Sequence, residues 1–124
     1  MSKKILVSDD AMFMRNMLKN ILIVEGYAVY EASNGQEAVD AYSAYAPDLV
    51  LMDLTMPVMD GITAIKEIRT KDPEARIIVC SALGQKTMVI EAIQAGARDY
   101  IVKPFEKSRV LEGVKAQIGS GKAA

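Results

Sequence analysis

The sequence predicts an α/β fold, a doubly wound sheet of five parallel strands flanked by five helices. Five short apolar stretches recur along the chain, and segments with apolar residues at helical spacing separate them. The third stretch, residues 49–52, is apolar at every position, which is typical of a central strand covered by helices on both faces. Strands that alternate with helices in this way form a parallel sheet with right-handed crossovers.

Caps and helix breakers separate the first two strand–helix units. Residues 4–8 form the first strand, and the helix after it ends before Gly26, which suits the C′ position of a helix. The β-prone segment 27–32 precedes a second helix, with Asn34 as predicted N-cap and Glu37 three positions later, as in a capping box. We expect that helix to bury one stripe of side chains: Ala38, Val39, Tyr42 and Tyr45.

Three further units follow in the same order. After the third strand, Pro57 forbids a continuing ladder, Asp60 is the predicted N-cap of the third helix, and Pro73 follows the end of that helix. The fourth and fifth strands are predicted at residues 76–80 and 99–102. The apolar stripe of the fourth helix is Met88, Val89, Ala92 and Ile93, and that of the fifth helix is Val110, Leu111, Val114 and Ile118.

Length and composition indicate one ordinary domain, predicted over residues 1–124 with a core of about 4–118 and a flexible tail at 119–124. The formal net charge is −1, from 15 basic and 16 acidic residues, so no global field favours nucleic acid or a membrane. No apolar run approaches the roughly 20 residues that cross a bilayer, and the chain does not begin with a signal-peptide pattern. Because a single cysteine cannot form an internal disulfide, the expected location is cytoplasmic.

Chemically capable side chains follow four of the five predicted strands. They are Asp9, Asp10, Asp53, Ser81 and Lys103. Because the carboxyl ends of parallel strands share one edge of the sheet, these side chains can meet there. Three neighbouring carboxylates repel one another, and a hard divalent cation such as Mg²⁺, which prefers oxygen ligands, relieves that repulsion.

The same group of residues can accept a phosphoryl group. A lysine ammonium can hold a phosphoryl oxygen, and an aspartate beside Mg²⁺ and a lysine can attack phosphorus to form an aspartyl phosphate. The chain contains no histidine, so any phosphohistidine must come from a partner. Taken singly, only Asp53, which ends a wholly apolar strand, indicates a function as strongly as a structural role.

In combination, these motifs resemble the receiver domain of two-component response regulators. The motifs are Asp9-Asp10, Asp53 within residues 52–61, Ser81-Ala82 and Lys103-Pro104-Phe105. The resemblance extends over about residues 4–118, and segments 9–15 and 80–85 are most similar to the compact stand-alone receivers of chemotaxis. It implies a flavodoxin-like sheet with the strand order 2-1-3-4-5.

The resemblance also implies a role for each site residue. Asp53 is the phosphoacceptor, Ser81 hydrogen-bonds the phosphoryl group and Lys103 pairs with it, and Lys103-Pro104 is a cis peptide. The implied Mg²⁺ ligands are Asp10, Asp53 and the backbone carbonyl of Thr55, with Asp9 assisting through water. Tyr100 is the aromatic switch, and the implied partner surface comprises Lys86, Val89, Tyr100, Val102 and Lys107.

These roles imply a phosphorylation-driven switch rather than an enzyme. A sensor histidine kinase of the chemotaxis type would phosphorylate Asp53, the phosphorylated form would bind the flagellar motor switch, and a phosphatase is a further candidate partner. We expect a monomer that binds neither nucleic acid nor membrane. A single-domain phosphorelay intermediate and a receiver fragment of a larger regulator are the alternatives within the family.

Two positions depart from the family pattern or bear on the lifetime of the phosphoryl group. Ser8 stands in the first strand where the family usually has an aliphatic residue, and we expect its hydroxyl to bond a nearby backbone group. Leu83 flanks the phosphorylation site and cannot orient an attacking water, so the resemblance predicts modest unassisted dephosphorylation.

Two other classes of protein share parts of this pattern. A Mg²⁺-dependent phosphatase with an aspartyl-phosphate intermediate typically has a second aspartate two residues after the nucleophile, where this chain has Thr55. A flavin-binding protein of the same topology needs a hydroxyl-rich phosphate loop after the first strand, where Asp9 and Asp10 would repel a phosphate.

Overall fold

The computed structural model describes residues 2–121 and contains five strands that alternate with five helices. The strands are β1 (Lys4–Ser8), β2 (Ala28–Ala32), β3 (Leu49–Asp53), β4 (Ile77–Ser81) and β5 (Asp99–Val102). The helices are α1 (Met12–Val24), α2 (Gly35–Tyr45), α3 (Gly61–Lys71), α4 (Lys86–Ala95) and α5 (Lys107–Ile118). All strand pairs are parallel, in the order β2-β1-β3-β4-β5, so the predicted fold class and strand order are confirmed.

Strand β3 lies at the centre of the sheet, and all five of its residues are buried. One apolar core forms between one face of the sheet and helices α2, α3 and α4, and a second forms between the other face and helices α1 and α5. In the parallel register Asp53 lies opposite Cys80 of β4. Cys80 is buried, and burial raises the pKa of its thiol to about 12. No helix among residues 2–121 has the length and apolar character needed to cross a membrane.

The predicted N-caps of α2 and α3 are confirmed. The side chain of Asn34 accepts a hydrogen bond from the backbone N–H of Glu37, and Asp60 accepts one from Thr63, both at 2.8 Å. The capping box differs from the expected one, because the Glu37 carboxylate accepts from the backbone N–H and the hydroxyl of Ser33. The acidic side chain therefore reaches one residue beyond the N-cap.

Two predicted core residues are exposed. Tyr45 is 46% exposed and stacks on the ring of Tyr30, with the ring centroids 4.3 Å apart. Ile93 is 41% exposed, and Ala92 is the one residue of α4 that is fully buried. Helical spacing identifies the apolar side of a helix, but the area that the sheet covers determines how much of that side is buried.

The predicted flexible tail, 119–124, lies partly outside the described residues. Within them, the hydroxyl of Tyr27 donates to the carbonyl of Gly119 at 2.6 Å, and Gly121 is buried against the Tyr27 ring. Gly119 and Gly121 therefore contact the residue that precedes β2, and the flexibility of the tail stays a prediction. The remainder, 122–124, falls outside the described part of the chain.

Ser8 makes the backbone contact expected of it. Its side chain is buried, and its hydroxyl lies 3.5 Å from the carbonyl oxygen of Asn34 and 3.3 Å from the sulfur of Met56. The polar group is therefore accommodated under the loops that follow β2 and β3.

Two glycines fix the loop between β3 and α3. Gly61 donates to the carbonyl of Leu54 at 3.0 Å, and Gly35 donates to the carbonyl of Met59 at 2.9 Å. A Cβ atom at Gly61 would overlap the carbonyl oxygen of Asp53, and one at Gly35 would overlap that of Met59. Only glycine therefore allows these close backbone approaches.

Replacing Gly61 by alanine should lower the free energy of unfolding by about 2–3 kcal/mol, since the added methyl group meets backbone that cannot move aside. Urea denaturation measures this change. Gly113→Ala in α5 is the control, because its nearest neighbour within 3 Å is the flexible guanidinium of Arg109 and alanine favours a helix. Equal stability of the two variants would contradict the proposed constraint on the loop.

Candidate functional site

The carboxyl ends of β1, β3, β4 and β5 bring the predicted site residues to one edge of the sheet. Asp9 follows β1 and Lys103 follows β5, while Asp53 and Ser81 are the last residues of β3 and β4. Buried residues fill β3 and β4, so these strands are fixed between two layers of helices and present their final side chains at the edge. The convergence expected of a parallel sheet is therefore present.

Three carboxylates form the centre of the site. Asp9, Asp10 and Asp53 each offer an oxygen, and these oxygens lie within 4.8 Å of one another. Asp9 is 2% exposed and Asp53 is 6% exposed, whereas Asp10 is open to solvent. Carboxylates so close together repel, and burial makes that repulsion stronger.

Lys103 lies between the two buried carboxylates. Its ammonium nitrogen is 3.0 Å from Oδ2 of Asp9 and 3.1 Å from Oδ1 of Asp53. Burial by itself would lower the pKa of Lys103, but the contacts with both aspartates outweigh it and raise that pKa. Lys103 therefore remains a cation at this edge of the sheet.

One lysine does not neutralise the site. Burial is the largest cause that raises the pKa of Asp53, and the negative charge of Asp9 raises it further, while Lys103 opposes both. Three carboxylates and one ammonium leave two negative charges when all are ionised. A hard divalent cation with oxygen ligands fits this donor set.

The oxygens of Asp9 already have protein donors. Oδ1 of Asp9 accepts from the backbone N–H of Ala11 at 2.9 Å, and Oδ2 accepts from Lys103. Oδ1 of Asp53 accepts a hydrogen bond from the ammonium of Lys103, whereas Oδ2 of Asp53 has no hydrogen-bond donor among residues 2–121. The oxygens that remain for a cation are thus on Asp10 and Asp53, and the loop carbonyl of Thr55 follows two residues later.

Ser81 and Tyr100 both line one cavity. Ser81 is buried, and its carbonyl accepts from the backbone N–H of Lys103 at 2.7 Å. Tyr100 is 47% exposed and is not part of the carboxylate cluster. The volume of this cavity is about 320 Å³, and Lys86, Val89 and Val102 also line it. Lys107, the fifth residue of the predicted partner surface, is exposed on α5 and does not line this cavity.

Two residues of the site were not predicted from the sequence. The guanidinium of Arg15 donates to the carbonyl of Asp9 at 2.7 Å and pairs with Glu31 at 3.2 Å, which fixes the peptide that carries the two acids. The sequence did contain one indication for Arg15, because it is a cation near the start of a helix, where the helix dipole disfavours positive charge. The carboxamide of Gln85 bridges Ala82 and Thr55, and nothing in the sequence pattern marks that contact.

The loop after β5 also has the implied backbone geometry. The peptide bond between Lys103 and Pro104 is cis. The chain turns there immediately after the lysine that contacts Asp9 and Asp53.

Known proteins with this sequence pattern are numerous. Residues 5–115 match the family model of the response regulator receiver domain. The chain is 60% identical over 115 residues to the chemotaxis protein CheY of Bacillus subtilis (strain 168), which covers 92% of this chain and 96% of that protein. It is 61% identical over 115 residues to the chemotaxis protein CheY of Thermotoga maritima, with the same coverage of both chains.

Solved structures agree with the sequence comparison. A chain of the CheX-CheY-BeF3-Mg²⁺ complex from Borrelia burgdorferi matches this fold with a TM-score of 0.87 and 38% sequence identity. The match covers 92% of this chain and 87% of that one. The family model spans nearly all of the sheet and its helices, and the chemotaxis relatives match at about 60% identity. This chain therefore belongs to the response regulator receiver domain family.

Proposed function

We propose that this chain is a cytoplasmic, stand-alone response regulator that a histidine kinase phosphorylates on Asp53 and that controls the flagellar motor switch in chemotaxis. The observation that carries the proposal is the placement of Asp53, nearly buried, beside two further carboxylates and the ammonium of Lys103. The high identity to chemotaxis regulators supports the same role.

In the proposed reaction, an oxygen of Asp53 attacks the phosphorus of a phosphohistidine on the kinase. The new O–P bond forms as the P–N bond breaks, and the electron pair of that bond returns to the imidazole. Lys103 stays next to Asp53 and balances the charge that builds on the transferred oxygens.

Mg²⁺ fits the donor set and would be held by Asp10, Asp53 and the carbonyl of Thr55, with Asp9 acting through water. When bound, the ion would neutralise negative charge on the reacting oxygens. Asp9 keeps Lys103 in place through its own ion pair. Arg15 holds the carbonyl of Asp9, so the first strand delivers both acids at a fixed position.

The output of the switch would be a change on the α4–β5 surface. Phosphorylation adds about −1.5 to −2 charge and new acceptor oxygens, towards which the hydroxyl of Ser81 would move. Tyr100 would then turn from its exposed position into the cavity beside Ser81. A partner segment would bind the surface of Lys86, Val89, Tyr100, Val102 and Lys107 in this altered form.

Turnover of external phosphoesters is not part of the proposal. The phosphatase alternative needs an acid two residues after the nucleophile, and Thr55 supplies only a hydroxyl, which accepts from Gln85. The chain is accordingly a phosphoacceptor that takes part in its own phosphorylation. A steady release of phosphate from a simple aryl phosphate would instead favour an enzyme.

Replacing Asp53 by asparagine should abolish labelling by acetyl phosphate with Mg²⁺, because an amide cannot form the acyl phosphate. Mass spectrometry of the intact protein measures the added phosphoryl group. Asp60→Asn is the matched control, since asparagine caps a helix as well as aspartate does and Asp60 caps α3. Labelling that persists in Asp53→Asn would refute the assignment of the phosphoacceptor.

Mg²⁺ should stabilise the wild-type protein against unfolding by about 2.7 kcal/mol at a concentration near 100 times its dissociation constant. Asp10→Asn should lose most of this gain, because Asp10 offers the exposed oxygen of the cluster.

Without Mg²⁺, Asp53→Asn should be more stable than wild type by about 1 kcal/mol, since it removes one of three repelling charges. Thermal unfolding with and without Mg²⁺ measures both effects, and an equal Mg²⁺ response in all variants would count against a metal site here.

Phosphorylated protein should lose its phosphoryl group slowly without a partner, because Leu83 is apolar and 82% exposed beside the site. Leu83→Gln should shorten the lifetime several-fold by offering a group that can orient water. Release of inorganic phosphate after labelling measures the rate. Val24→Gln, at the distant end of α1, serves as the control, and a wild-type decay on the scale of a second would contradict the prediction.

Phosphorylation should determine which protein binds to the α4–β5 surface. Immobilised protein, with and without acetyl phosphate, should retain a flagellar switch protein only when phosphorylated. Tyr100→Ala should abolish that retention, while Tyr45→Ala, equally exposed on α2, should not. Capture of a histidine phosphotransfer domain instead would favour the phosphorelay role.

A further inference from the structure

Gln85 joins the two loops that border the carboxylate cluster. Its side-chain carbonyl accepts from the backbone N–H of Ala82 at 2.7 Å, and its amide nitrogen donates to the hydroxyl of Thr55 at 3.1 Å. Ala82 directly follows Ser81, and Thr55 lies two residues after Asp53. One carboxamide therefore ties the end of β4 to the end of β3.

The side chain of Gln85 is not used to start α4. The backbone carbonyl of Gln85 accepts from the N–H of Val89 at 3.0 Å, whereas its side chain makes no capping bond to the helix. Both polar atoms of the carboxamide instead bond groups near the sheet edge, and the residue is half-buried. The amide nitrogen also donates to the sulfur of Met88 in α4 at 3.8 Å.

Few other contacts hold the segment that Gln85 restrains. Residues 82–84 are exposed, and a methyl group added at Gly84 would meet no other atom within 4 Å. The backbone bond from Gln85 to the carbonyl of Ala82 is long, at 3.4 Å. The carbonyl of Ser81 is held by the backbone N–H of Lys103, and within residues 2–121 the carboxamide of Gln85 is the main side-chain restraint on the chain that follows.

Gln85 also borders the space that the switch would use. The cavity of about 320 Å³ between α4 and β5 is lined by Ser81, Gln85 and Tyr100. Tyr100 is exposed in the same arrangement in which the carboxamide bridge is formed. The bridge therefore accompanies the resting form of the switch.

We propose that Gln85 is a positioning residue that holds the Ser81–Ala82 segment in its resting place and so disfavours the phosphoryl-bound arrangement; this inference rests on the proposed function. Movement of Ser81 towards Asp53 draws Ala82 away from Gln85 or Gln85 away from Thr55. Breaking one such hydrogen bond shifts the equilibrium by about fivefold. Loss of the carboxamide consequently favours the active arrangement.

The test uses the full chain with Mg²⁺ and beryllium fluoride, which imitates a phosphoryl group on a carboxylate. NMR signals of the Ala82 amide and the Tyr100 ring follow the titration. Gln85→Ala should reach half-saturation at an about fivefold lower beryllium fluoride concentration, and its free spectrum should lie part of the way towards the saturated one. Gln36→Ala is the matched control, because among residues 2–121 the side chain of Gln36 bonds only Asp40, on the exposed side of α2.

Thr55→Val provides a second variant, since it removes the hydroxyl that Gln85 contacts but keeps the backbone carbonyl. It should shift the midpoint in the same direction, and the double variant should shift it no further than Gln85→Ala alone. An unchanged or weaker response of Gln85→Ala would overturn the inference. Failure of wild type to respond at all would instead overturn the proposed function, so the two failures are distinguishable.

Discussion

The ammonium of Lys103 is the contact on which the rest of the site depends. It lies within 3.1 Å of oxygens on both Asp9 and Asp53, two carboxylates that the fold removes almost completely from water. Without a cation between them, those charges would be costly to bury. The parallel topology makes the contact available, because β5 ends at the same edge as β1 and β3 although residue 103 is distant from both along the chain.

The loops around this ion pair are fixed by small and specific contacts rather than by extensive burial. Gly61 allows backbone to approach the end of β3, and Gly35 allows it to approach Met59 in the loop that follows. Arg15 holds the carbonyl of Asp9, and Gln85 links the loops after β3 and β4. Three of these contacts restrain the loop after β3, and Arg15 restrains the end of β1. The site therefore combines a rigid sheet with loops that few bonds hold, which suits the proposed role of Asp53 as a phosphoacceptor.

The sequence predicted those features that follow from strand ends and caps. Asp9, Asp53 and Lys103 were assigned to one edge because an apolar strand that stops at a polar residue defines that edge. Side-chain contacts within loops were not predictable, since Gln85 could as well have capped α4. The exposure of Ile93 and Tyr45 was missed for a related reason: periodicity shows which side of a helix is apolar, while tertiary packing decides how much of that side is covered.

Cys80 has a practical consequence for spectroscopy. It lies opposite Asp53 in the sheet, and burial raises the pKa of its thiol to about 12, so almost no reactive thiolate exists at neutral pH. The native cysteine is thus nearly silent towards maleimides and iodoacetamides in the folded protein. A second cysteine placed on an exposed helix position can carry a fluorophore or spin label without removal of Cys80, which leaves the strand beside Asp53 unaltered.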